Sequence, residues 1–333
     1  MNLPSHKSIR RPLAGRSVAV EGLRLRRCTL CSLFSVLSAF AAFGVHAEGD
    51  NGWTIGGGAT LDFTSKQLTY GLIDNPHAIV TPSVELSIAN DEWFTLTLSV
   101  DAIFDTTNYG AKDGGYADRR WKYQELTPGI TLSRNWDTTD LLGSTLDTAI
   151  NYTYEYHPRS CNKPWNDWSN PDTQWLNLEI GLPDLWLQPA FTLEYQLVRQ
   201  GPEDEETGKG GIYATFSVAH DFDLGADCLG LEEGMLTLTP TLGLGIANRD
   251  RNEADFGERD SFMFRDGFAS LELAYSPIEG FTIAPYVGCH YQLDSDARNV
   301  VGDDDFVAYG GVALSYSFRF RTTHNIYLGR GSL

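Results

Sequence analysis

Twelve stretches of this 333-residue chain alternate apolar and polar residues with a period of two, and the apolar side of each alternation is kept almost free of charge. They lie near residues 53–63, 78–89, 93–104, 121–134, 146–156, 173–182, 185–197, 211–222, 235–247, 267–276, 281–293 and 305–319. In the second, Val80, Pro82, Val84, Leu86 and Ile88 alternate with Thr81, Ser83, Glu85 and Ser87. In the third, Phe94, Leu96, Leu98, Val100 and Phe104 alternate with Thr95, Thr97, Ser99 and Asp101. A two-residue period places successive side chains on opposite faces of a strand. Across the twelve apolar faces there is no Asp, Glu or Lys, and the ionisable groups Arg134 and His220 stand at segment ends. A charge facing lipid at the bilayer midplane costs about 2–4 kcal/mol, so this exclusion is what a lipid-facing wall demands. A soluble sandwich also excludes charge from its core but seldom needs twelve strands of this length. After Ala47 there is no sustained helical period and no run of 18 apolar residues, which removes helical spans. The expected fold is all-β: a single transmembrane antiparallel β-barrel of about 12 strands, with 10 or 14 as the neighbouring counts.

The connections support an even-stranded barrel. Those around Asn90 to Glu92, Pro183-Asp184 and Pro277 to Gly280 are short, and those around Asn135 to Ser144 and Asp223 to Gly234 are medium. The others, such as Asp105 to Arg120 and Asn248 to Asp266, are long and rich in Gly, Asp, Asn and Arg. Short turns at one rim and long loops at the other predict periplasmic turns, extracellular loops and both termini on the periplasmic side. A recurring proline resists the pattern, at Pro82, Pro128, Pro189, Pro240 and Pro285. Proline gives up a ladder hydrogen bond, and the first two fall on descending strands while the last three fall on ascending ones. Either the recurrence is accidental or the strand count slips by one between residues 128 and 189.

The stretch Phe306 to Phe320 is long enough to span a bilayer as a tilted strand, which takes about 9–11 residues. Its Gly311, Leu314, Tyr316 and Phe318 resemble the closing strand of Gram-negative outer-membrane proteins, where a glycine precedes alternating aromatics. That resemblance implies recognition by the outer-membrane assembly machinery. A tail, residues 321–333, follows it.

Residues 1–47 open with seven bases, continue through the apolar run Leu33 to Val45 and end in Val45-His46-Ala47. This is the layout of a secretory signal cleaved after Ala47, which leaves residues 48–320 as the barrel. Seven of the 25 Lys and Arg residues and one of the 44 Asp and Glu residues leave with it, so 18 bases remain against 43 acids, a formal balance of −25. Such a balance opposes nucleic acid and favours cations or cationic partners. Of the remaining cysteines, Cys161 falls in an outer loop, Cys228 in a periplasmic turn and Cys289 in a strand, so none pairs. No Cys/His cluster suggests zinc.

The polar faces carry the functional signal. Asp62, Glu85, Asp101, Glu125, Asp147, Glu155, Glu179, Glu194 and Glu272 face away from lipid, with Arg319 as the one strand base. Carboxylates in a dry lumen would be left unpaired at several kcal/mol each. They are therefore wet, protonated, bound to cations or met by loop arginines such as Arg119, Arg120, Arg159, Arg199 and Arg251. Acidic rings select cations, so Glu85, Asp101, Glu125, Glu179, Glu194, Glu272 and His290 are the candidate lumen and selectivity residues. Catalysis has weaker support. His290 shows no evident Ser-plus-carboxylate partner, and His220-Asp221 maps to the periplasmic rim. In the loops, Asp294, Asp296, Asp303, Asp304 and Asp305 suggest Ca2+ or Mg2+ ligands, although the EF-hand glycine and closing Glu are missing. Trp165 and Trp168 offer stacking faces for a sugar but read better as members of an interfacial aromatic girdle. Trp93, Trp121, Trp175 and Trp186 read as an interfacial girdle.

The span Gly58 to Asp105 loosely resembles the TorF-type porins, through Ser65-Lys66, Gly71, Pro82-Ser83-Val84 and the alternating third strand. That family implies a porin-like barrel and no particular substrate. The expected function is a narrow, cation-preferring diffusion channel, without enzymatic activity, in the outer membrane of a Gram-negative bacterium. The alternative is a non-conducting structural or surface-binding barrel whose acidic loops bind divalent cations, lipopolysaccharide or a partner.

Overall fold

The computed structural model describes residues 53–69, 72–90, 93–106, 122–156, 173–199, 210–256, 263–294, 298 and 305–321. Twelve long strands form the wall: β1 (Trp53–Thr64), β2 (Ile79–Asn90), β3 (Thr95–Asp105), β4 (Lys122–Trp136), β5 (Leu146–Glu155), β6 (Thr173–Gly181), β7 (Ala190–Arg199), β8 (Ile212–Ala219), β9 (Leu236–Ala247), β10 (Met263–Ile278), β11 (Phe281–Gln292) and β12 (Phe306–Arg321). Each pairs antiparallel with its neighbours in sequence, and β12 returns to pair with β1 from Thr54↔Arg321 to Thr64↔Gly311. The ring is therefore closed and no wall edge is left unpaired, as a sheet in hydrocarbon requires. The count is twelve. A small hairpin, Gln67–Thr69 with Leu72–Asn75, follows β1 at the long-loop end, and a two-residue strand, Phe222–Asp223, extends β8 along β9.

The prolines lie where the count leaves them. Pro82, Pro128, Pro240 and Pro285 face outward, and each keeps its pairing to one neighbour: Leu61, Val100, Leu271 and Val312 respectively. Toward the other neighbour the ladder breaks. The β2–β3 register passes from Val80↔Phe104 to Ser83↔Asp101, and β10–β11 passes from Glu272↔Tyr286 to Tyr275↔Ile283. An antiparallel residue points its N–H at a single neighbour, so proline costs one side of the ladder and spares the other. Pro189 stands just before β7, with its carbonyl accepting the Leu182 N–H at 3.0 Å. Ascending and descending strands tolerate the substitution alike, so the recurrence implies no slipped strand.

The outward face is a greasy belt. Leu98, Ile130, Leu132, Ile150, Phe216, Leu242, Val287 and Tyr316 are all exposed large apolar side chains. Leu242 is 60% exposed, a burden that water would not favour and lipid removes. Arg134 sits on that face at its short-turn end, its guanidinium 3.9 Å from the centre of the Trp136 ring. In this chain no helix is long and apolar enough to cross a membrane among the described residues. The spans are strands, and a closed barrel with an apolar exterior is the outer-membrane way of crossing.

Two short helices decorate the ends. α1 (Thr139–Leu142) lies in the β4–β5 turn and stops at Gly143, whose φ of 72° is the left-handed conformation glycine adopts freely. α2 (Arg249–Phe256) follows β9 at the long-loop end. Asn248 caps it, its Oδ1 accepting the Arg251 N–H at 3.0 Å and the Ile212 N–H at 2.8 Å. That one amide ties the helix start to the start of β8.

Candidate functional site: the barrel lumen

The inward faces hold the expected carboxylates, but at two levels with different surroundings. Glu85 on β2, Glu179 on β6 and Glu272 on β10 are exposed, and they stand four strands apart around a ring of twelve. Their heights follow from the register. Gly56 pairs with Ser87, and the same line runs through Thr97, Thr131, Asn151, Asn177, Glu194, Tyr213 and Ala247 to Met263. It begins near the short-turn end of β1 and finishes at the long-loop end of β10. With about 3.3 Å of rise per residue, ~4.8 Å between strands and ~40° of tilt, the three glutamates fall within about 5 Å of one level. They sit toward the short-turn end, and among the described residues no ion pair neutralises any of them.

Higher in the lumen the chemistry changes. Asp62 accepts both contacts of the Tyr286 hydroxyl at 3.1 and 3.0 Å, and Glu125 accepts the Thr127 hydroxyl at 2.8 Å. Asp101 pairs in register with Ser83 and Thr127, and Glu194 with Asn177 and Tyr213. At the long-loop end, α2 brings Arg251, Asn252 and Asp255 against the wall. Asp255 receives Arg251 at 2.9 Å and also Arg265, whose side chain is wholly buried. Arg251 reaches Gln196 at 3.3 Å and lies 5.1 Å from the centre of the Trp175 ring. Asp266, equally buried, accepts the Tyr213 hydroxyl at 2.7 Å and faces His290 Nδ1 at 3.2 Å. His290 is stacked on Phe268, with ring centres 5.4 Å apart. Gly245 makes room for this cluster, since a Cβ there would collide with the Tyr213 hydroxyl and the Asp266 carboxylate.

Several expectations change here. His290 does have a carboxylate partner, Asp266, which belongs to the wall and not to a loop because β10 begins at Met263 rather than near residue 267. The register shifts at Gly245/Ile246 against this part of β10, and that bulge breaks the two-residue period through Arg265. Arg265, expected in a loop, stands on β10 and adds a buried base to the wall. Arg251 folds inward as a loop arginine could, and it meets Asp255 of its own helix. Trp175 is no girdle residue, because it is 6% exposed and sits under Arg251. Trp93 and Trp186 are exposed at the short-turn end. His220 Nδ1 contacts the Trp186 carbonyl at 2.6 Å, and Asp221 accepts Thr239 at 2.5 Å and Gln188 at 3.0 Å, which accounts for both as turn contacts.

In β12, Gly311 faces inward and Leu314, Tyr316 and Phe318 face outward beside β1. Asp294 and Asp305 flank the β11–β12 connection, and among the described residues neither belongs to a group of three that could hold a metal, while Asp296, Asp303 and Asp304 lie outside the described residues. So do Ala47, Gly71, Arg119, Arg120, Trp121, Arg159, Cys161, Trp165 and Trp168, and the side chain of Arg199. Cys228 and Cys289 are free thiols.

No protein-family model matches the chain, and no curated protein sequence is similar to it. Solved structures share the barrel architecture. The COG4313 outer membrane channel from Pseudomonas putida F1 is similar at 10% identity and a TM-score of 0.43, over 83% of this chain and 98% of that one. The KdgM porin is similar at 11% identity and 0.37, over 79% and 99%. Outer membrane phospholipase A from Escherichia coli is similar at 11% identity and 0.39, over 78% and 92%. At these values no residue role passes from them to this chain.

Proposed function

We propose that this barrel is a porin-like channel that passes small solutes and prefers cations. The observation that carries the reading is the level of Glu85, Glu179 and Glu272, three accessible carboxylates spaced around the lumen with no ion-pair partner among the described residues. Carboxylates so placed are stable only in water, and a wet acidic ring attracts cations and repels anions. The resemblance of Gly58 to Asp105 to the TorF-type porins points the same way. Export through residues 1–47 and insertion through the β12 signal belong to the same reading, with the Gram-negative outer membrane as the destination. α2 and the buried cluster beside it favour a second reading, in which the long-loop mouth is filled and the barrel does not conduct.

Both readings meet in one experiment: conductance of the folded protein in a planar bilayer under a salt gradient. Discrete steps with a cation-selective reversal potential are expected. A Glu85→Gln, Glu179→Gln and Glu272→Gln triple variant should shift that potential toward zero while keeping the steps. Silence from protein shown to be folded would overturn the channel and leave the plugged barrel.

A further inference from the structure

We propose that a cavity of about 400 Å³ in the lumen wall, above the glutamate level, binds small organic ammonium ions, meaning protonated amines with an apolar body. The proposal deepens the channel reading, on which it rests for the ligand's route, by naming a substrate class. Two carboxylates line the cavity, Asp62 and Glu125, against one base, Lys66. Both are held in place: Asp62 by Tyr286 at 3.0 and 3.1 Å, and Glu125 by Thr127 at 2.8 Å. His290 lines the cavity as well, beside Thr64, Gln67 and Thr81. The wholly buried Asp266 is the acceptor for Tyr213 and faces His290 Nδ1, so Nδ1 is the ring nitrogen that donates to it.

Two acceptor-only carboxylates against one ammonium, with Thr64, Gln67 and Thr81 able to donate or accept, suit a ligand rich in N–H donors, and an ammonium group offers three. Ile79, Ile103 and Leu68 line the same cavity and provide an apolar surface for the carbon frame, and the Tyr309 ring adds a face that attracts cations. A bare divalent ion fits less well. Calcium takes about 6–8 oxygen ligands, and among the described residues no group of three His, Cys, Asp or Glu side chains could hold a metal. An anion would face two carboxylates at close range.

The test is calorimetric titration of the full-length protein, folded in detergent at pH 7, with benzylammonium, and with benzyl alcohol as the uncharged probe of similar shape. Benzylammonium is expected to bind and benzyl alcohol to bind at least about tenfold more weakly, the difference a charged hydrogen bond makes. Glu125→Gln should weaken benzylammonium by about tenfold, and Asp62→Asn should do the same by an independent route. Asp140→Asn, on α1 in the β4–β5 turn and away from the lumen glutamates and the cavity, should leave it unchanged. Equal binding of the two probes, or full affinity in both cavity variants, would overturn the site. Titration needs no ion flow, so binding without conductance would remove the channel and keep the site. Conductance without binding would do the reverse.

Discussion

The long-loop half of the lumen holds Arg251 and Arg265 on Asp255, and Asp266 on Tyr213 and His290, shut away from solvent, whereas the short-turn half holds Glu85, Glu179 and Glu272 accessible and without ion pairs among the described residues. Both halves place charge inside a ring of strands, and each avoids the cost of dry, unmatched charge differently. Above, Asp255 is matched by two arginines and Asp266 by a hydroxyl and an imidazole, and those groups become structural. Below, water does the matching and the carboxylates stay free to act on whatever passes. Pairing trades function for rigidity, so variants should separate the two halves by what they damage.

The largest effect is expected at Arg265. Its side chain is fully buried against Asp255, so Arg265→Met leaves that acid short of a partner in a low-dielectric site, at a cost of about 3–5 kcal/mol. Glu179→Gln in the lower half should change stability by no more than about 0.5 kcal/mol. Urea unfolding of both variants in the same detergent checks the contrast. Equal losses would mean that the halves do not differ as described.

Next comes the glycine floor beneath the cluster. Gly245 has the Tyr213 hydroxyl and the Asp266 carboxylate lying across it, while nothing approaches the Cβ position of Gly181 at the short-turn end of β6. Gly245→Ala should cost about 1–3 kcal/mol through overpacking, and Gly181→Ala should be nearly neutral. The thermal midpoint of the two variants reads out the difference, and a neutral Gly245→Ala would show that the cluster can move aside.

Salt should act in the opposite sense. Raising ionic strength from 0.1 to 1 M shortens the screening length from about 10 to about 3 Å. Cation preference set by accessible glutamates should fade over that range in reversal-potential measurements. The buried pairs of Asp255 should hold their stability, being screened far less. A preference that survived high salt would place its origin in a dry constriction near the upper cluster.

The fold was legible because lipid imposes a rule on every outward position, and Leu98, Ile150 or Leu242 obey it without reference to any partner. The lower glutamates were legible for the same reason, since each sits in phase with its strand. The upper cluster was not. Asp266 and Arg265 stand beside a bulge that breaks the phase, and Asp255 and Arg251 enter from a helix too short to announce itself by periodicity. Trp175 misled because an aromatic near a strand end reads as a membrane anchor until a loop arginine is seen to cover it. The level shared by Glu85, Glu179 and Glu272 emerged only once the register fixed their heights, which no single strand records.

The smallest expected effect lies at the short-turn rim, and it tests whether that end is held by charge at all. Asp184 binds the β4–β5 turn to the β6–β7 turn: its Oδ2 accepts the Thr145 N–H at 2.7 Å and the Thr145 hydroxyl at 2.8 Å, and the Asp184 N–H is donated to Ser144 Oγ at 3.1 Å. The Thr145 backbone bond, followed by its hydroxyl, holds the Asp184 carboxyl below its usual pKa. A carboxylate whose folded pKa is depressed stabilises the fold above the unfolded value of about 3.9, and that contribution is lost as pH falls through the lower folded value. Exchange of the Thr145 amide should therefore stay slow at pH 5 and accelerate, relative to intrinsic rates, as the pH drops below about 4. Asp184→Asn should speed that exchange at pH 5 and flatten its acid dependence. If the wild-type amide remains protected through the acid range, the turn is held by Ser144 and the strand ends, and charge organises the long-loop end of the barrel but not its short-turn rim.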